Sequence, residues 1–185
     1  MSLSEKRPIW TRIAGATVVS LALALASGCT VRPLYGDAGV AAGQGTAATL
    51  ASIEVNPVDT RQALEVRNHL IFLLTGGGGR AASPSMLLDL DVTSKTANAA
   101  TVQIATDNEP SASIVTMTAE YKLSDASTGE VISTGERAIS SSFDLLRQEF
   151  AAERAERDAE NRAARELAEL LRLAVAQDLE REGRL

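Results

Sequence analysis

The sequence predicts a two-layer α/β sandwich: a four-stranded mixed sheet with two helices on one face, in the order β-α-β-β-β-α, closing on a long C-terminal helix. Three observations carry this expectation. Segments 86–96, 111–124 and 130–142 alternate apolar and polar side chains, as strands with one buried and one wet face do. Segments of about 59–75 and 144–182 repeat their apolar residues at intervals of three and four, as helices docked on one side do. Turn and helix-stop residues separate the two kinds of pattern.

Each element has its own reason. Leu50, Ile53 and Val55 alternate with polar neighbours and stop at Asn56-Pro57, which predicts a short first strand over 50–55. Asp59 with Gln62 resembles a capping box, and Ala63, Val66, Leu70, Ile71 and Leu74 supply the buried stripe of the first helix. Gly76-Gly77-Gly78-Gly79 ends it, because four glycines cannot hold helical backbone against their entropy. The run is no phosphate loop: it closes a helix instead of opening one, and no Lys-Ser/Thr follows. Leu88, Leu90 and Val92 mark the second strand, and Val115, Met117, Ala119, Tyr121 and Leu123 the third. Asp125 to Gly129 is a turn into the fourth strand, which contains Gly135. The intervening 97–110 reads as a low-complexity loop, with Val102 and Ile104 able to extend a strand.

The last helix carries Ala163, Leu167, Leu170, Leu171, Ala174, Val175 and Leu179 on one side. Pairs such as Glu153/Arg157 and Asp158/Arg162 stand four apart, each contributing a few tenths of a kcal/mol. Its charged first half, 147–162, reads chiefly as a solvated face. The sharper alternative is a partner contact, since that half offers little apolar surface.

Composition excludes several functions. One His and one Cys in 185 residues are too few for a protein-built zinc or iron–sulfur site, so no metal or cofactor is expected. A net charge of −6 and 3% aromatic residues argue against nucleic-acid binding. His69 stands beside Leu70 in an apolar-rich helix and reads as a packed or edge-of-core residue, not a general base. No Gly-x-Ser-x-Gly or Ser-x-x-Lys motif occurs, so no enzyme is expected.

The amino terminus changes the reading of the whole chain. Lys6, Arg7 and Arg12 precede an uncharged apolar run at 13–26. As a helix that run rises about 21 Å, short of the roughly 30 Å of a hydrocarbon core, so it reads as an export signal. Ala26-Ser27-Gly28-Cys29 follows and resembles the bacterial lipobox. That resemblance implies cleavage between Gly28 and Cys29, lipidation of the Cys29 thiol and acylation of the new terminus, with palmitate-type chains. Three chains anchor stably, at about 0.8 kcal/mol per buried methylene. Thr30 stands where lipoproteins retained at the inner membrane usually carry Asp, which implies the periplasmic leaflet of the outer membrane. The expected organisation is signal peptide 1–28, lipidated flexible tether 29–49 and one domain over 50–185. Cleavage leaves 157 residues and removes three bases and one acid, taking the net charge from −6 to about −8.

Beyond the lipobox, Gly28-Cys29-Thr30-Val31-Arg32-Pro33-Leu34-Tyr35-Gly36, Val66-Arg67-Asn68-His69-Leu70, Asp158-Ala159, Arg162-Ala163 and Glu166-Leu167-Ala168 resemble the LptE family of lipopolysaccharide-assembly lipoproteins, its alphaproteobacterial branch above all. The resemblance spans the mature chain. It implies a plug inside the large outer-membrane β-barrel LptD, assisting barrel assembly and binding lipopolysaccharide as it enters the outer leaflet of a Gram-negative cell. Because lipopolysaccharide carries phosphates, the strand-borne cations Lys95, Lys122 and Arg137 are the candidate contacts, weighed against a plain solubilising role. Two other functions compete: an auxiliary lipoprotein of a periplasmic ABC-type lipid transporter, which the Arg32-Pro33-Leu34-Tyr35 run disfavours, and a periplasmic hydrolase.

Overall fold

The computed structural model describes residues 43–185 apart from 80, 82, 105, 106 and 146. In chain order these are α1 (Gly43–Ala51), β1 (Ile53–Val55), α2 (Arg61–Thr75), β2 (Met86–Ile104), β3 (Asp107–Asp125), β4 (Val131–Asp144) and α3 (Glu149–Arg181). The strands lie in the order β1-β2-β3-β4 in one mixed sheet. β1 runs parallel to β2, with Val55 beside Leu88, and the other neighbours are antiparallel. α2 is the crossover that a parallel β1–β2 pair requires, and α2 and α3 share one face of the sheet. The expected sandwich is therefore present, with one helix more than anticipated.

That helix is α1. The expected organisation has a flexible tether up to residue 49 and a first strand from Leu50. Instead, from Gly43 the chain is helical, Leu50 is buried inside the helix at 2% exposure, and β1 shrinks to three residues. The alanines at 47, 48 and 51 favour helix strongly enough to outweigh the two glycines of its first turn, Gly43 and Gly45. The Ser52 N–H donates to Ala48 O and its hydroxyl to Thr49 O, closing the last turn.

α2 starts two residues later than expected. Thr60, not Asp59, is its N-cap: the Thr60 hydroxyl accepts from the Ala63 N–H, and Gln62 reaches Glu160 of α3 instead of closing a capping box. Its C-terminus is as expected, with Gly76 at φ 61° donating its N–H to Phe72 O. Ala63, Val66, Leu70 and Leu74 form its buried stripe.

Within the loop expected over 97–110, residues 97–104 and 107–110 are strand. β2 and β3 pair from Met86/Asp125 out to Ile104/Asp107, interrupted by register shifts between Asn98 and Ala100 and between Ala100 and Thr101. β4 reaches only Ala112 of β3 through Asp144, so a two-stranded ribbon projects past the rest of the sheet. Low sequence complexity hid this because Ala, Thr and Asn carry little alternation.

Leu70, Leu88, Met117, Leu123, Leu167, Leu171 and Leu179 are wholly buried between sheet and helices. Each contributes about 1.5–3 kcal/mol. α3 approaches closely because its inner face is built from small residues: Ala159, Ala163, Ala164, Ala168, Ala174 and Ala176 are all buried. The first half of α3 also docks, contrary to the view that it had too little apolar surface. Ala155 and Ala159 pack with Val115 and Phe143, Thr96 donates to Glu156, and Arg162 donates to Ser142 O. Phe150, at 86% exposure, stands clear.

Candidate functional site

The helices cover one sheet face, and among the described residues nothing packs on the other. Strand alternation puts Leu88, Leu90 and Val92 of β2 under the helices and sends Asp89, Asp91, Thr93 and Lys95 to the open side. Thr116, Glu120 and Lys122 of β3 and Thr134, Glu136 and Ser140 of β4 join them there. This face is mostly polar, with Ala97, Ile114 and Ala138 among the polar side chains, and its middle holds an open depression of about 750 Å³ between Asp89, Asp91, Glu120, Lys122, Thr134 and Glu136.

Register decides its electrostatics. Asp91 pairs with Glu120, which pairs in turn with Glu136, so three carboxylates form one row across β2, β3 and β4. Like charges directly opposite one another cost stability. Among the described residues none of the three has an ion-pair partner. The neighbouring Asp89 differs: Asn56 Nδ2 donates to it at 2.6 Å and Lys122 Nζ stands 3.0 Å away. The hydrogen bond from Asn56, then that from Lys122, hold its carboxyl below the usual carboxylate range. Among the described residues no three His, Cys, Asp or Glu side chains converge as metal ligands would.

The three cations proposed for phosphate contact are not brought together. Lys95 and Lys122 share the open face, but Lys95 lies across from Thr116, six residues or roughly 20 Å along β3 from Lys122. Lys122 is engaged by Asp89. Arg137 lies on the other face, opposite Ala119 and toward α3, and donates to the carbonyl of Glu136. His69 is neither core nor part of a cleft; it lies half-exposed on α2, 3.8 Å from Glu65. Gly28 and Cys29, the cleavage and lipidation residues, lie outside the described residues.

Two features escaped the sequence. One is the carboxylate row, which needs cross-strand register to be seen. The other lies behind it on the helix side, where Tyr121 donates to Asp178 at 2.7 Å and Asp178 also pairs with Arg181. Tyr121 crosses to Asp178 over Gly135: a Cβ at that position would stand 2.7 Å from the phenol oxygen. The glycine in β4 is thus the seat of the ring. Its signal was present as Gly inside a strand pattern.

Comparison with known proteins agrees with this architecture. A structure of a candidate lipoprotein from Caulobacter crescentus CB15 superposes with TM-score 0.59 at 26% identity, over 74% of this chain and 96% of that one. Rare lipoprotein B from Shewanella oneidensis (TM-score 0.50, 11% identity, 70% and 96% covered) and a minor lipoprotein from Acinetobacter baumannii (0.50, 13%, 68% and 89%) share the fold. No curated protein matches. No described helix is long and apolar enough to cross a membrane. The model of the LptE lipopolysaccharide-assembly family matches residues 50–175, from the end of α1 through most of α3. The chain belongs to the LptE family.

Proposed function

We propose that this protein is a lipid-anchored lipoprotein of the outer membrane, facing the periplasm, that binds a large LptD-like β-barrel, assists its assembly and plugs it while lipopolysaccharide enters the outer leaflet. The match over residues 50–175 carries the reading. The structure is compatible with it in a physical sense: the lumen of a large outer-membrane barrel is polar, and the open sheet face is mostly polar. Lipidation at Cys29 after cleavage behind Gly28 would hold the fold at the membrane, and the acylated terminus supplies an attraction that a surface of net negative charge does not. The protein acts by binding and not as an enzyme. Any contact with lipopolysaccharide phosphates falls to cations acting separately, because Lys95, Lys122 and Arg137 do not form one cluster.

Depletion tests the reading. Loss of the protein is expected to lower both the assembled barrel and surface lipopolysaccharide, read by heat-modifiability of the barrel on gels and by surface labelling. Normal levels of both contradict it. Cys29→Ala is expected to leave an uncleaved precursor in the inner membrane, read by fractionation and by the absence of acyl-chain labelling.

A further inference from the structure

We propose that the outer edge of β2, from Leu90 to Asn98, takes up a short extended segment of the barrel partner as an added strand, with a basic residue opposite Asp91 and an acidic one opposite Lys95. The identity of the partner rests on the proposed function; the edge itself is read from the structure.

β1 is three residues long and covers β2 only at Met86, Leu87 and Leu88. The Asn56 N–H to Leu88 O is the last backbone bond on that side, and β2 then runs on to Ile104. Among the described residues nothing bonds to the outward backbone groups of Leu90–Asn98. An edge of this length, about 30 Å, is a template for strand addition unless it is guarded. The opposite edge is guarded. The β4 carbonyls of Glu136 and Ser142 are held by the guanidinium groups of Arg137 and Arg162.

The β2 edge also specifies what it fits. Asp91 and Lys95 are both exposed, lie on the same face two cross-strand steps apart, and have no charge partner among the described residues. A base opposite Asp91 would also relieve the repulsion along the row that continues through Glu120 and Glu136. Between the two charges Val92 points to the helix side and Thr93 to the open side, so the incoming segment would set an apolar residue opposite Val92 and a polar one opposite Thr93. Main-chain bonds would supply affinity and the charge pairs the register.

A second copy of this chain cannot satisfy both charges on this edge. Antiparallel self-pairing could set Asp91 against Lys95 of the copy, but the same register sets its Asn98 against Leu88, where β1 and Asn56 already bond. The occupant must therefore be a shorter strand than β2.

The test uses the full lipidated chain, co-expressed with the barrel partner, with a photoreactive amino acid placed at Thr93 or Ala97 on this edge and at Ala138 or Ser140 on β4. Crosslinks from 93 and 97 to one common stretch of the barrel are expected, with little from the β4 positions. The exchange Asp91→Lys with Lys95→Asp keeps net charge and is expected to cut that yield about fivefold, as two opposed charge pairs are worth roughly 1 kcal/mol. A melting temperature no lower than that of the parent would show that the exchanged variant is folded, since the Asp91→Lys side chain stands opposite Glu120. Normal co-purification of the barrel without crosslinks from the β2 edge, or with equal crosslinks from both edges, overturns the inference while leaving the function standing. Recovery of no barrel at all overturns the function, and the assignment of the occupant with it.

Discussion

Tyr121 shows how a single side chain ties the two layers together. It is 4% exposed, lies over Gly135 and donates to Asp178, itself buried at 3%. Burial, then the bond to Asp178, push its hydroxyl up from 10.0 to about 12. A group with a raised folded value holds its proton more tightly folded than unfolded. Its contribution is therefore complete below pH 10 and is lost as pH rises toward 12. Tyr121→Phe leaves one Asp178 oxygen without its donor and is expected to cost about 1–3 kcal/mol at neutral pH. Urea titrations at pH 7 and across pH 9–12 check both: the variant starts lower and lacks this component of the alkaline slope. Gly135→Ala acts on the same contact from the other side. Its Cβ would press to 2.8 Å on the ring carbons, so the phenol must shift from Asp178, at an expected cost of about 1–3 kcal/mol. Asp89 has the opposite sign: its depressed carboxyl stabilises the fold above the usual carboxylate range and loses that contribution as the pH falls through it.

At the scale of elements, the sequence was most legible where periodicity was strong. α2, the central parts of β2, β3 and β4, and α3 follow from side-chain spacing alone, and the helix stop at Gly76 follows from glycine's freedom at φ 61°. Legibility failed where signals were local and weak. Asp59 and Thr60 are both good caps, and only the geometry of the first turn selects Thr60. Thr60→Ala is accordingly expected to cost about 1 kcal/mol, with Asp59→Ala nearly neutral, as measured by thermal unfolding. α1 was hidden by a Gly/Ala composition that also suits a tether. The ribbon was hidden because its pairing is set by the neighbouring strand and not by its own alternation. The small residues of α3 were read as spacing, whereas they set how near the helix lies. Ala168→Leu would force the helix off the sheet and is expected to destabilise by about 1–3 kcal/mol in the same measurement.

The whole molecule is asymmetric in a way that bears on its task. One sheet face is sealed by α2 and α3; the other, uncovered among the described residues, is mostly polar and is crossed by Asp91, Glu120 and Glu136. Family membership was legible from short motifs spread along the chain, and the match over residues 50–175 agrees with it. The candidate site was less so, because Lys95, Lys122 and Arg137 look alike in sequence and are separated only by register and by face. The central claim concerns a partner, and recovery of that partner tests it most directly. Affinity purification of the lipidated protein from detergent-extracted membranes is expected to yield a large outer-membrane β-barrel in stoichiometric amount. Recovery of an inner-membrane transporter complex with no such barrel would contradict it.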